Sequence, residues 1–75
     1  MRYLIVGRKC VAHDAMHSEK CEAFNLADGN CTAEIAHDQA KFFGRFGKPD
    51  VGTFTSVEIY RGTPRGELFY TYEIV

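Results

Sequence analysis

The chain has no apolar segment long enough to cross a membrane and no large excess of charge of either sign. Its longest uninterrupted apolar run is residues 3–6, whereas a transmembrane helix needs about 20 apolar residues. Nine Lys and Arg residues stand against ten Asp and Glu residues. This balance argues against a generic binder of phosphate backbones, because such proteins are usually basic overall. We therefore expect no membrane partner, and any nucleic-acid contact would need a local basic patch.

The sequence also lacks a recognisable catalytic motif, an internal repeat and a linker. It contains no nucleophile elbow, no Gly-rich phosphate loop and no paired-carboxylate signature. Its 75 residues allow one domain, residues 1–75, and a chain of this size buries only about 60–65% of the surface that it exposes when unfolded. Little surface is left for a deep cleft. We therefore expect a single domain that is not an enzyme and that needs no cofactor.

Cysteine is scarce and present in an odd number. The three cysteines are Cys10, Cys21 and Cys31, and we expect no secretory leader, because the opening apolar run is typical of a strand rather than of a signal peptide. Together these features fit reduced thiols better than a disulfide framework. One disulfide with one free thiol stays open as the alternative. The cysteine usage and the lack of a leader predict a cytoplasmic protein.

The chain is nevertheless apolar enough to form a core, with 45% apolar residues that include six Phe and four Tyr. Runs rich in β-branched and aromatic residues predict four strands. These strands cover residues 2–11, 21–26, 53–61 and 67–75. Residues 12–20 are polar and aperiodic and should form a loop, whereas residues 62–66 contain Gly and Pro and should close a hairpin.

One amphipathic helix is predicted between the second and third strands. Residues 28–30 carry a turn signal, and Thr32 is a competent N-cap. Beyond it, the apolar side chains fall within an arc of roughly 160° and the charged ones lie opposite. The apolar residues are Ile35, Ala36, Ala40, Phe42, Phe43 and Phe46. Gly47 then provides a C-cap, so we predict a helix over about residues 32–46 that buries its phenylalanines.

The predicted fold class is α+β, with a four-stranded, mostly antiparallel sheet and the helix packed on one face. No element is left to cover the second face of the sheet. Strict alternation in the last strand places Leu68, Tyr70, Tyr72 and Ile74 on one face and Phe69, Thr71 and Val75 on the other. Aromatic side chains on both faces would expose a larger apolar patch than a soluble monomer usually tolerates. We therefore predict a homodimer with sheet-face or edge-strand contacts that include Tyr60 and Phe69 or Tyr70.

A metal site is an alternative suggested by the spacing Cys10-x2-His13-x3-His17-x3-Cys21. Thiolates and imidazoles are the ligands that zinc prefers, and a structural metal would stabilise so small a core. Strand alternation could equally place the two thiols on opposite faces, with both cysteines acting as small apolar residues. We expect no metal, and we keep a zinc-stabilised binding domain as the alternative.

Basic residues alternate with aromatic residues near the end of the helix and in the last hairpin. The candidate binding residues are Lys41, Arg45, Lys48, Tyr60, Arg61 and Arg65. Aromatic stacking with cationic contacts is how single-stranded nucleic acids are held, but the helical phenylalanines are expected in the core. Tyrosine and arginine are also enriched in protein interfaces. The pattern favours a protein-binding surface, with a small nucleic-acid-binding module as the alternative.

The layout resembles that of small anti-CRISPR proteins of phages and mobile elements, in particular β-β-α-β-β inhibitors of type I surveillance complexes. The similarity lies in the length, the opening strand at residues 2–6, the short Ala- and Lys-containing helix around residues 36–41, and the closing hairpin. It implies a phage-encoded inhibitor that binds a Cas complex in the host cytoplasm and blocks its action. It also implies that Lys41 and Arg45 correspond to the basic helix residues that some of these inhibitors use.

Overall fold

A computed structural model describes residues 1–11, 20–62 and 66–74 and shows one helix packed on a four-stranded antiparallel sheet. The elements in chain order are β1 (Arg2–Val11), β2 (Lys20–Asn30), α1 (Ala33–Phe46), β3 (Ser56–Arg61) and β4 (Glu67–Glu73). The strand order in the sheet is β2-β1-β3-β4. The predicted α+β fold is confirmed. Among the described residues, no helix has the length and apolar character needed to cross a bilayer.

β1 is the strand on which the core is built, because apolar side chains lie on both of its faces. Ile5 lies opposite Ile59 of β3 and is 1% exposed, in the core beneath the helix. Leu4 and Val6 point to the other face, where they are 6% and 4% exposed. The core on the helix side consists of Tyr3, Ile5, Ala36, Ala40, Phe54, Val57 and Ile59.

β2 continues through residues 28–30, which were predicted to form a turn. Its last residue, Asn30, lies opposite Arg2, and Asp28 lies opposite Leu4 on β1. The Arg2 guanidinium donates to both oxygens of Asp28, at 2.9 and 2.8 Å. Pairing with β1 supplies partners for the backbone groups of these residues, and this tertiary contact overrides their local preference for a turn.

The helix begins and ends where its capping residues predict. The hydroxyl of Thr32 accepts a hydrogen bond from the Ile35 N–H at 3.2 Å, which satisfies one of the first backbone donors. At the other end, Gly47 has φ of 67°, and its N–H donates to the Phe43 carbonyl at 2.8 Å. A Cβ at Gly47 would also lie 2.1 Å from the Gly52 carbonyl oxygen, so both the backbone angle and the space require glycine.

The helix packs on the sheet through small residues rather than through its phenylalanines. Ala36 and Ala40 are fully buried, and Gly44 is buried so close to Ile74 that an added Cβ would lie 2.6 Å from the Ile74 Cδ1. The prediction that the helical phenylalanines belong to the core is therefore wrong for Phe42 and Phe46, which are exposed.

A β-bulge in β4 changes the predicted faces of the last strand. Tyr70 lies opposite Ile59, but Leu68 lies opposite Tyr60, so Phe69 is an extra residue without its own partner. Such an insertion interrupts the alternation of side chains. Phe69 therefore shares the helix side with Tyr70, and Leu68 lies on the open face with Tyr60.

Contacts with the helix side confirm this placement of Phe69. Its ring lies 5.6 Å from the Tyr3 ring and 5.8 Å from the imidazole of His37 on the helix. The predicted division of the β4 aromatic residues between both faces is therefore wrong. Tyr60 lies on the face of β3 that is turned away from the helix, and β3 is an inner strand. The described strands therefore do not present Tyr60 on one surface with Phe69 or Tyr70, as the predicted homodimer contact requires.

Cys10 and Cys21 form a disulfide between β1 and β2. The two residues lie directly opposite each other in the strand register, with their Cα atoms 4.0 Å apart, and Cys31 keeps a free, half-buried thiol. The expectation of three reduced thiols is therefore wrong, because antiparallel pairing brings two of them together. The inference from reduced thiols to a cytoplasmic location loses its support.

We predict that replacing both Cys10 and Cys21 by Ser lowers the free energy of unfolding by roughly 2–3 kcal/mol. Without the cross-link, the unfolded chain gains conformational entropy, which favours unfolding. Urea unfolding followed by circular dichroism measures the change. Cys31→Ser is the matched control and should shift stability by less than about 0.5 kcal/mol. Equal midpoints for the double variant and the control would contradict the prediction.

Candidate functional site

An exposed row of apolar side chains runs along the helix and is the main candidate for a binding surface. Ile35, Phe42 and Phe46 are 46%, 56% and 61% exposed, and their spacing of seven and four residues places them above one another on one stripe of the helix. The rings of Phe42 and Phe46 are 5.0 Å apart between centroids. We call these three residues the helix ridge.

A row of four charged side chains runs beside the helix ridge. It consists of Glu34, Asp38, Lys41 and Arg45, all exposed, and helical geometry places it roughly 60–120° around the axis from the ridge. The acidic pair lies toward the helix N-terminus and the basic pair toward the C-terminus, which complements the helix dipole. The Arg45 guanidinium lies 5.5 Å from the centre of the Phe46 ring. We call these four residues the charged row.

The structure does not bring the six predicted binding residues into one surface. Lys41 and Arg45 belong to the charged row, whereas Lys48 follows the helix in a tight loop, where its N–H donates to the Gly52 carbonyl at 3.0 Å. Arg61 packs over the Phe69 ring on the sheet, at 4.9 Å. Tyr60 lies on the face of the sheet opposite the helix, and Arg65 lies outside the described residues.

The open face of the sheet carries a polar network around Glu58. The Arg8 Nε donates to a Glu58 oxygen at 2.5 Å, and the Tyr60 hydroxyl donates to the same oxygen at 3.1 Å. Hydrogen bonds with Tyr60 and Glu58 raise the pKa of Arg8. A shallow cavity of about 210 Å³ beside the network is lined by Val6, Arg8, Ala23, Asn25 and Tyr60. Arg8 and Glu58 neutralise each other within the chain. This face therefore has fewer unpaired charged groups with which to contact a partner than the helix has.

The zinc ligands suggested by the sequence are not available as a set in this structure. The register answers the question of which way the two cysteines point, because the sulfurs of Cys10 and Cys21 meet and are bonded to each other. Neither sulfur can then act as a thiolate ligand. His13 and His17 lie outside the described residues. Among the residues that are described, no group of three or more His, Cys, Asp or Glu side chains could hold a metal ion.

The helix ridge was missed by the sequence interpretation, although a signal for it exists. The small residues Ala36, Ala40 and Gly44 recur every four positions, which places them on one side of the helix. A stripe of small residues permits close approach to a sheet, and larger apolar residues on another side then stay outside. Residue size, rather than polarity, would have separated the buried side from the ridge.

The Arg2–Asp28 ion pair on the open face predicts a pH effect. The hydrogen bond from Arg2 holds the pKa of Asp28 below its ordinary value of 3.8. A lowered pKa in the folded state means that ionised Asp28 stabilises the fold at pH values above its ordinary pKa, and that this contribution disappears as the pH falls through the folded-state pKa.

We expect Arg2→Gln to raise the pKa of Asp28 and to weaken the acid dependence of stability. Carbon-detected NMR titration measures the shift, with Arg61→Gln as the control. If the pKa of Asp28 is the same in Arg2→Gln as in the wild type, Arg2 is not the cause of the lowered pKa.

The chain was compared with protein-family models, with curated proteins and with solved structures. None of these comparisons finds a match to this chain. The candidate binding surface consists of the helix ridge of Ile35, Phe42 and Phe46 and the charged row beside it.

Proposed function

We propose that this chain is a non-enzymatic protein-binding domain that acts as an inhibitor and docks through the helix ridge. The observation that carries the proposal is the exposure of Phe42 and Phe46 next to Ile35 on a single helical stripe. Exposed apolar patches mark interaction sites, and aromatic residues supply much of the binding energy in interfaces. An amphipathic helix that presents anchors at such spacing is a recurrent way of filling a groove on a partner.

The charges around the ridge favour a protein over a nucleic acid. Lys41 and Arg45 could contact phosphates, but Glu34 and Asp38 lie in the same charged row and would repel them. The chain as a whole carries a formal charge of -1, whereas phosphate-backbone binding relies on a net basic surface. A mixed row of this kind instead suits a protein surface with a matching alternation of charge.

A narrower proposal concerns the target, which would be a Cas surveillance complex in the cytoplasm of a phage host. Its support is the β-β-α-β-β layout together with the presence of Lys41 and Arg45 on the outer side of the helix. DNA cleavage by a purified type I surveillance complex tests it directly, since the chain should suppress cleavage when added in excess. Undiminished cleavage by representative type I complexes would count against this target, but it would not count against the helix ridge as a docking surface.

The docking surface itself is tested by comparing two variants that place charge on opposite faces of the molecule. Phe42→Glu combined with Phe46→Glu alters the ridge, whereas Leu68→Glu alters an exposed apolar residue of the open sheet face. We expect the ridge variant to lose a bound partner protein by about tenfold or more in affinity, because two anchors are removed, and the Leu68 variant to retain it. Quantitative affinity capture from host lysate, followed by titration of the recovered partner, measures the effect.

Both variants change exposed side chains, so their circular dichroism should match that of the wild type. If the wild type, the ridge variant and the Leu68 variant all bind the same partner with equal affinity, the helix ridge is not the docking surface and the proposal is wrong.

A further inference from the structure

We infer that a second copy of this chain covers the helix ridge in the free protein, with the two helices packed antiparallel about a twofold axis, and that this copy has to leave before another protein binds there. The inference rests on the proposed function, because it takes the ridge as a docking surface and names its occupant. It places self-association on the helix instead of on the sheet.

The charged row is complementary to itself when its direction is reversed. Glu34 and Asp38 form its first half and Lys41 and Arg45 its second half. Reversal places Glu34 of one copy opposite Arg45 of the other, and Asp38 opposite Lys41. Both pairs are centred on the same point of the helix, between residues 39 and 40, so one arrangement satisfies all four contacts across the axis.

The ridge fits the same arrangement. Its ends, Ile35 and Phe46, are centred between residues 40 and 41, within one residue of the centre of the charged row. A one-residue difference between the two centres shifts the paired residues of the two copies by about 3 Å, twice the helical rise of about 1.5 Å per residue, and the long side chains of both rows can span this shift. Ile35 of each copy then meets Phe46 of the other, and the two Phe42 rings lie close to the axis.

Symmetry favours the antiparallel arrangement over the parallel one. A twofold axis that reverses the helix direction brings the same flank of both helices together, so the charged row meets the charged row. A twofold axis that keeps the direction brings opposite flanks together, and the charged row then faces the flank that carries Phe43. Among the described residues, the salt bridges are Arg2–Asp28, Arg8–Glu58 and Arg61–Glu67, and none of them engages the charged row.

Charge-swapped variants test the pairing. The first variant is Glu34→Lys with Asp38→Lys, and the second is Lys41→Glu with Arg45→Glu. Light scattering at micromolar concentration should give the wild type twice the 8.5 kDa of one chain. Each variant alone should dimerise at least tenfold more weakly, because four like charges then face four others. An equimolar mixture of the two should restore the dimer.

Cross-linking locates the axis without depending on the charges. In a Cys31→Ser background, Gln39→Cys places a thiol near the twofold axis, so a short bismaleimide should link two copies of this variant efficiently. Asp50→Cys places an exposed thiol beyond the C-terminal end of the helix and outside the charged row, so two copies should link at least fivefold less. Equal yields for both positions would overturn the antiparallel arrangement.

The outcomes separate this inference from the proposed function. A wild-type mass near 8.5 kDa at high micromolar concentration overturns the second copy as the occupant, while loss of a captured partner by Phe42→Glu with Phe46→Glu would still support the ridge as a docking surface. A dimer that persists in that ridge variant, or a mixture of the charge-swapped variants that stays monomeric, overturns the placement on the helix. Circular dichroism of each variant confirms that it is folded.

Discussion

Close contact between the helix and the sheet is the constraint on which the rest of the structure depends. Ala36 and Ala40 are fully buried and Gly44 is buried beside Ile74, so the helix backbone lies near the side chains of β1 and β3. This contact fixes the rotation of the helix about its own axis. Because small residues occupy the buried side, the larger apolar residues of the ridge remain outside, and the surface that we propose for binding follows from the packing of the core.

Features that depend on a few neighbouring residues could be predicted from the sequence. The helix bounds follow from Thr32 and Gly47, each of which acts on backbone groups within one turn. Features that depend on pairing with a distant strand could not. Residues 28–30 read as a turn in isolation but pair with β1, and the bulge at Phe69 depends on its register with β3. The disulfide likewise depends on the register of β1 with β2.

The residues of the candidate site likewise divide into those that the sequence could predict and those that it could not. Lys41 and Arg45 were correctly placed on the exposed side of the helix, because charged residues on an amphipathic helix lie outside whichever part of the apolar arc is buried. The ridge was missed because the apolar arc is wider than the contact with the sheet, and polarity alone cannot show which part of a wide arc is covered. Tyr60 and Phe69 were assigned to a common surface because strict alternation was assumed, and one inserted residue is enough to separate them.

The disulfide between Cys10 and Cys21 gives the chain a covalent ring that spans a sequence separation of 11 residues. A peptide bond broken anywhere inside that ring would leave both fragments attached, with β1 still linked to the rest of the sheet. Proteolytic nicking there would therefore not release the strand that contributes Tyr3, Leu4, Ile5 and Val6 to the core.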